Sequence, residues 1–277
     1  MKSTTLTQLT LWPEPTVVSI GPKGYTTPDG VFPRVTSVLK AYGGSTDALV
    51  KWSANEERKA ILEACSEVYA GPDPGGPSEF AAAVEARIGA ARQHQRLLTK
   101  AADIGTAIHE TIQWTLREEL KLERGPEPTL PDPALWGFLA WRDWWASEKL
   151  TPLRCEQPVW DAELGYAGTV DLIAEGPQGL ELLDWKTGKG IYDSYHMQVA
   201  AYAHACRNWG VVGRCRIVRL PKVVDDPTME VKELGDLTYD YTTNGKRVHG
   251  GRHLDRNQLL EAFKAALVLY NTLLAKE

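Results

Sequence analysis

The sequence predicts an α/β (α+β) fold, in which a central mixed β-sheet is flanked by helices and preceded by a helical region. Three strand patterns, at residues 154–160, 167–174 and 179–186, follow one another with only short glycine and proline turns between them. A helix pattern, a fourth strand at 214–220 and a final helix come next. A helix inserted between strands favours a sheet with mixed pairing.

The first half of the chain is predicted to be mainly helical. A helix over 46–70 is followed by a breaker and by a long helical stretch over 78–123, as one helix or two. The apolar residues of this stretch that recur every fourth position predict one core-facing side. They are Ile104, Ile108, Ile112 and Leu116.

Shorter elements precede and follow these helices. A strand is predicted at 16–20, and a helix opens at Val35 and runs toward Tyr42. An aromatic-rich helix is predicted over 134–150, with a core role favoured and stacking on nucleic-acid bases as the alternative. Its aromatic residues are Trp136, Phe138, Trp141, Trp144 and Trp145. We divide the chain into a hairpin and helical region over 1–150 and a core over 151–277, together forming one compact unit.

Composition limits the classes of partner. The net charge of −5 argues mildly against nucleic acid, although carboxylates at a metal site would add negative charge. The stretch 246–253 is either a local basic patch or a solvated loop. The sequence has no apolar run of about 18 residues and no apolar leader, which predicts a cytoplasmic protein without a membrane partner.

Two carboxylates and a lysine interrupt apolar strands. Asp171 lies within the second predicted strand, and Asp184 and Lys186 lie at the end of the third. Positions two apart share one face of a strand, so Asp184 and Lys186 point the same way. Burying two carboxylates in neighbouring strands is costly unless a cation such as Mg²⁺ or Mn²⁺ lies between them. The alternative is a buried salt bridge of Lys186 with one of the aspartates.

Asp171, Asp184 and Lys186 belong to a series of four short motifs along the chain. They are Gly105-Thr-Ala-Ile-His109-Glu, Gly168-Thr-Val-Asp171, Asp184-Trp-Lys186-Thr-Gly and Gln198-Val-Ala-Ala-Tyr202. Together they resemble the PD-(D/E)XK nuclease superfamily, in its RecB-like and phage exonuclease branch. More loosely, residues 32–39 and 49–52 resemble the opening of phage exonucleases and of the mitochondrial genome maintenance exonuclease group.

The resemblance implies a restriction-endonuclease-like sheet and a set of site roles. His109, Asp171, Asp184 and the Trp185 carbonyl would hold a metal ion. Lys186 would position the attacking water. Glu156 would be an additional acid, with a surface salt bridge as the alternative, and His109 could instead be a packing residue. Gln198 and Tyr202 would reach the site or the DNA backbone, and Trp52 would stack on bases.

The function that follows is hydrolysis of DNA phosphodiester bonds with Mg²⁺ or Mn²⁺, most simply by an exonuclease of phage or prophage type in recombination, repair or replication. The spacing of Cys65, Cys155, Cys206 and Cys215 predicts no iron–sulfur cluster. The lack of a P-loop predicts no nucleotide cofactor. DNA is the expected partner, a recombinase or single-strand-binding protein is a candidate, and the oligomeric state is open. Rival functions are a structure-specific endonuclease, a non-cleaving DNA-binding or assembly module, and a hydrolase of small phosphoesters.

Overall fold

The computed structural model describes most of the chain. It covers residues 18–42, 46–89, 92–208, 210, 212–222, 228–243 and 246–274. For residues 46–49, 208, 238–243 and 246–249 it describes the backbone alone.

The helices and strands follow the predicted order in the first two thirds of the chain. The helices are α1 (Val35–Leu39), α2 (Thr46–Ala70), α3 (Pro77–Ile88), α4 (Gln93–Glu119), α5 (Asp132–Ser147), α6 (Asp193–Ala205) and α7 (Arg256–Leu269). The strands are β1 (Ser19–Gly21), β2 (Gly24–Thr27), β3 (Gly30–Phe32), β4 (Thr151–Asp161), β5 (Tyr166–Gly176), β6 (Gly179–Lys186), β7 (Arg214–Arg219), β8 (Glu230–Glu233), β9 (Asp236–Thr243) and β10 (Lys246–His253). The long helical stretch is therefore two helices, α3 and α4.

A five-stranded mixed sheet forms the centre, in the order β4-β5-β6-β7-β8. Neighbouring strands are antiparallel except for β6 and β7, which are parallel. Parallel neighbours need a crossover connection, and α6 supplies it. The predicted mixed sheet flanked by helices is confirmed.

Helices α6 and α7 pack on one face of this sheet. The buried ring of Tyr166 in β5 meets Phe263 of α7 with ring centroids 4.8 Å apart. Its hydroxyl donates to the Ala201 carbonyl of α6 at 2.9 Å. Because α6 lies between the sheet and α7, its side chains from His196 to Ala203 are buried on all sides.

Helix α5 packs on the other face through its tryptophans. Trp141 is fully buried, and its ring lies 6.2 Å from that of Trp185, edge to face. The ring of Trp144 lies 6.0 Å from Trp185 in the same manner. The predicted core role is thus confirmed for Trp141; Trp144 is half-buried, and Trp136 is 48% exposed.

The last third of the chain contains three strands, β8, β9 and β10, that the sequence did not predict. Strand β8 (Glu-Val-Lys-Glu) carries charge instead of alternating apolar residues because it borders the sheet, where Glu230 pairs with Arg219 of β7 at 3.4 Å. The solvated-loop alternative for 246–253 is also wrong, since these residues form β10, paired with β9. The side chains of 246–249, which would carry much of a basic patch, lie outside the described side chains.

The described chain groups into two compact units. One contains the residues before 43 together with those from Ala107 onward, and the other is Gly43–Thr106. The second unit has a small core of its own, in which Ala64 and Val68 of α2 pack with Val84 of α3. These bounds differ from the division at residue 150, which stays a prediction. Residues 16–17 of the first predicted strand lie outside the described residues; β1 begins at Ser19.

Candidate active site

The site lies where strands β5 and β6 part. Their backbone pairing ends at Leu172 and Leu183. One residue further, the Asp171 carboxylate accepts a hydrogen bond from the Trp185 N–H at 2.6 Å. Strand β6 keeps its course because it stays paired with β7 as far as Lys186. The Asp171 side chain therefore lies in the opening between β5 and β6, close to Asp184.

Asp184 and Lys186 form an ion pair on one face of β6, with Nζ and Oδ2 2.6 Å apart. Asp184 is 1% exposed, and burial, with repulsion from Asp171, raises its pKa to about 6 although Lys186 opposes the shift. Burial alone would lower the pKa of Lys186, but the two aspartates outweigh it and raise that pKa. Lys186 is therefore an ammonium at neutral pH. The buried salt bridge that was the alternative to a catalytic site is therefore present, and it is formed by Asp184 and Lys186, which are also the candidate catalytic residues.

His109 reaches the site from α4. Its Nδ1 lies 3.9 Å from Asp171 Oδ2. The buried Ile108 and Ile112 hold this part of α4 against the core. Burial and the charge of Lys186 lower the pKa of His109 to about 4, while a hydrogen bond with the Trp185 backbone opposes the shift. The imidazole is therefore neutral at pH 7, which is the form that binds metals.

Glu156 adds a third acid from β4. Its neighbours Cys155 and Gln157 pair with Leu172 and Val170, so Glu156 stands opposite Asp171 on the same face. Its φ of 51° is left-handed, a conformation that costs a residue other than glycine about 1–3 kcal/mol and is concentrated at functional sites. Burial, and then repulsion from Asp171 and Asp184, raises its pKa to about 8. Glu156 therefore lies near Asp171 and Asp184, and its role as an additional acid stays a prediction.

The donor set fits a hard divalent cation in its chemistry. Three carboxylates crowd together with raised pKa values, and a neutral imidazole stands beside them. As the side chains lie, no three such donors among the described residues are close enough to hold a metal. Lys186 approaches one Asp184 oxygen, and the Trp185 N–H donates to one oxygen of Asp171. Lys186 supplies the positive charge that the acids require.

Gln198 and Tyr202 of α6 form a hydrogen-bonded chain that ends at Asp184. The Gln198 amide donates to Asp184 Oδ1 at 3.2 Å and to the Tyr202 hydroxyl at 3.0 Å. Both side chains are buried, which favours a positioning role over contact with the DNA backbone. Gly168 is required here because a Cβ would lie 2.3 Å from the Tyr202 ring.

Other residues at the site were missed from the sequence, and one predicted residue lies elsewhere. The Lys186 Nζ lies 5.0 Å from the centre of the Tyr195 ring. Tyr25 of β2 shares a hydrogen bond of 2.8 Å with the Thr169 hydroxyl. Thr169 is two positions before Asp171 and so shares its face, which strand periodicity could have indicated; Tyr25 carries no local signal. Trp52 lies in α2 of the second unit, half-buried, and its stacking role stays a prediction.

Comparison with known proteins decides the family. A family model described as the PD-(D/E)XK nuclease superfamily matches residues 77–267. The chain belongs to this superfamily. The resemblance seen in the sequence motifs is confirmed at the level of the superfamily.

No curated protein matches the sequence. The crystal structure of SSO0001 is among the solved structures that match; it is 14% identical, with a TM-score of 0.25, and the match covers 51% of this chain and 63% of that one. Across the described residues, no helix is both long and apolar enough to cross a membrane.

The raised pKa of Glu156 predicts how the stability of the metal-free nuclease changes with pH. The folded value of about 8 lies above the ordinary 4.5, so between these values the native state holds a proton that the unfolded state releases. The free energy of unfolding therefore falls as the pH rises through this window. We expect Glu156→Gln, which cannot ionise, to raise the Tm at pH 8.5 by roughly 5 °C.

Thermal unfolding in EDTA at a series of pH values measures this effect. The difference between Glu156→Gln and the wild type should shrink to nothing near pH 4. Glu127→Gln is the matched control, because Glu127 is exposed. A Glu156→Gln advantage of equal size at all pH values would show that ionisation of Glu156 is not its cause.

Proposed function

We propose that this PD-(D/E)XK nuclease is a RecB-like DNA exonuclease of phage or prophage type, which uses Mg²⁺ or Mn²⁺ and acts in DNA recombination, repair or replication. The observation that carries the proposal is the meeting of Asp171, Asp184 and Lys186 at the parting of β5 and β6, with Glu156 and His109 beside them. A recombinase or single-strand-binding protein would be a natural partner for such an enzyme.

The residues divide into those that would hold a cation and those that would act on substrate. His109, Asp171, Asp184 and the Trp185 carbonyl would hold the ion, with Glu156 as a further acid. A bound divalent cation polarises the scissile phosphate and neutralises the charge that develops on it. Lys186 keeps its proton at neutral pH, so it can orient the attacking water and stabilise the same developing charge.

Neighbouring side chains fix the orientation of the Asp184 carboxylate. The Gln198 amide fixes one of its oxygens, and Tyr202 fixes the Gln198 amide in turn. Carboxylates that hold a metal ion are commonly hydrogen-bonded in this way, which keeps their orientation. Gln198 and Tyr202 thus serve as positioning residues.

The exonuclease assignment is supported by the opening of the chain. The segment that resembles phage exonucleases packs directly on the strand that bears Asp171: the Ala167 N–H donates to the Pro33 carbonyl at 3.0 Å. Val35 and Val38 of α1 are fully buried in the core. The resemblance to phage exonucleases therefore includes a segment that packs against β5, the strand that bears Asp171.

Linear and covalently closed circular DNA of the same sequence distinguish the proposed activity from its rivals. With Mg²⁺ or Mn²⁺, the wild type should degrade linear DNA, single- or double-stranded, and leave both kinds of circle intact. Labels at the 5′ and 3′ ends report the polarity. Cutting of circles would overturn the exonuclease in favour of an endonuclease. If neither ion supports cleavage of any DNA, the non-cleaving module is the better description.

A further inference from the structure

We propose that Tyr192 and Tyr195 form an aromatic subsite next to Lys186 that stacks a nucleobase from an unpaired DNA end. The inference rests on the proposed DNA nuclease function and extends it to a class of substrate. Neither tyrosine belongs to the motifs that point to the nuclease family.

A short turn brings the two rings beside the lysine. After Lys186 the chain passes through Gly188 and Gly190 and enters α6, whose first turn carries Tyr195. The Tyr195 ring centre lies 5.0 Å from Lys186 Nζ, and the Tyr192 ring centre lies 5.4 Å from that of Tyr195, edge to face. The Tyr195 N–H also donates to the Tyr192 carbonyl at 2.9 Å. The rings therefore form a continuous path outward from Lys186.

Packing fixes one ring and leaves the other open. Tyr195 is partly buried and packs against the main core. A Cβ on Gly188 would lie 3.2 Å from the Tyr195 hydroxyl and 3.7 Å from the Tyr192 ring, so the turn lies close against both. Tyr192 is nevertheless 52% exposed. A lone exposed tyrosine is ordinary on a protein surface, but this one is supported by a second ring that touches the ammonium of the site.

Stacking on the Tyr192 and Tyr195 rings favours bases of unpaired strands. Every base has a π-face, so stacking on a tyrosine ring tolerates any sequence. A base inside a duplex already stacks on its neighbours, and taking it out requires unpairing and unstacking. A ring beside the scissile phosphate therefore favours a base at a single-stranded or frayed end. Loss of one stacked base is expected to weaken binding roughly 5- to 100-fold.

Substitutions at Tyr192 test the subsite. Binding of a fluorescein-labelled 12-nucleotide single strand is measured in EDTA, and KM and kcat are measured with Mg²⁺. Tyr192→Ala should raise Kd and KM for the single strand roughly 5- to 100-fold while kcat changes less than about threefold. Tyr192→Phe keeps the ring and should behave as the wild type. Tyr42→Ala is the control, since Tyr42 is similarly exposed, at 47%.

Abasic strands locate the stacked base. A single abasic residue, moved along the 12-nucleotide strand, should weaken wild-type binding at one position and add no loss there in Tyr192→Ala, because both changes remove the same contact. Unchanged binding by Tyr192→Ala, an equal loss on blunt duplex DNA, or independent losses at every abasic position would each overturn the subsite. If the binding results hold but the wild type cleaves no DNA, the proposed function fails while the subsite stands.

Discussion

Replacing Asp184 with asparagine, or Lys186 with alanine, is expected to lower the rate of DNA cleavage by roughly 10²–10³-fold or more. Asp184 is 1% exposed and is held by both Lys186 and Gln198, so neutralising it removes a fixed charge from the candidate site. Lys186 is the ammonium that lies against Asp184 and supplies positive charge to the acidic cluster. Each variant therefore removes a different charge from one centre.

The two variants should differ in stability although they lose cleavage alike. Lys186→Ala leaves the buried Asp184 carboxylate without the cation 2.6 Å away, and an unpaired buried charge is destabilising. Asp184→Asn removes the charge itself, and its side-chain oxygen can still accept from Gln198. Without metal we therefore expect Lys186→Ala to unfold at lower temperature than Asp184→Asn.

Initial rates on end-labelled linear DNA with Mg²⁺, together with thermal unfolding in EDTA, measure both effects. Lys264→Ala is the control for loss of a lysine, because Lys264 lies on α7 and pairs with Glu261 alongside it. Equal degradation by the wild type, Lys186→Ala and Asp184→Asn would discard the proposed site. Equal unfolding temperatures for the two variants would show that Lys186 does not compensate the buried carboxylate.

The central residues of the site were predictable because charged side chains are rare within apolar strands. Charges inside apolar strands stand out, and the two-residue spacing of Asp184 and Lys186 places them on one face without any knowledge of the fold. The support of Asp184 by Gln198 was less accessible, since it depends on how α6 lies across the sheet. The left-handed backbone of Glu156 has no sequence signature, because such conformations normally favour glycine.

The fold shows the same division between local and distant causes. Strands β5 and β6 are buried on both faces, so their apolar runs were plain in the sequence. Among the described strands, β8 lies at the edge of its sheet and β9 pairs with β10 alone, so neither carries such a run. A local signal for the latter pair was present, however: Asn244-Gly245 stands between them, and this dipeptide is typical of a tight hairpin.

The largest stability effect is expected on the face of the sheet opposite Asp184. Arg216 of β7 and Glu181 of β6 are 3% and 1% exposed, and their side chains pair at 2.7 Å. Arg216 also contacts Glu148 at 3.0 Å and lies over the Trp144 ring at 5.4 Å. Glu181 shares its face of β6 with Trp185, whereas Asp184 points the other way. The pair therefore belongs to the α5 side of the core.

We expect Arg216→Met to lower the free energy of unfolding by about 3–5 kcal/mol, because Glu181 would stay buried with its nearer partner removed and only Arg214, 3.9 Å away, beside it. The double variant Arg216→Met/Glu181→Leu should recover most of this loss, since two apolar side chains replace two charges that both had to leave water. Urea unfolding measures the difference, and cleavage rates at low temperature should stay near those of the wild type. A double variant as unstable as Arg216→Met would show that packing of the arginine, rather than charge compensation, holds α5 on the sheet.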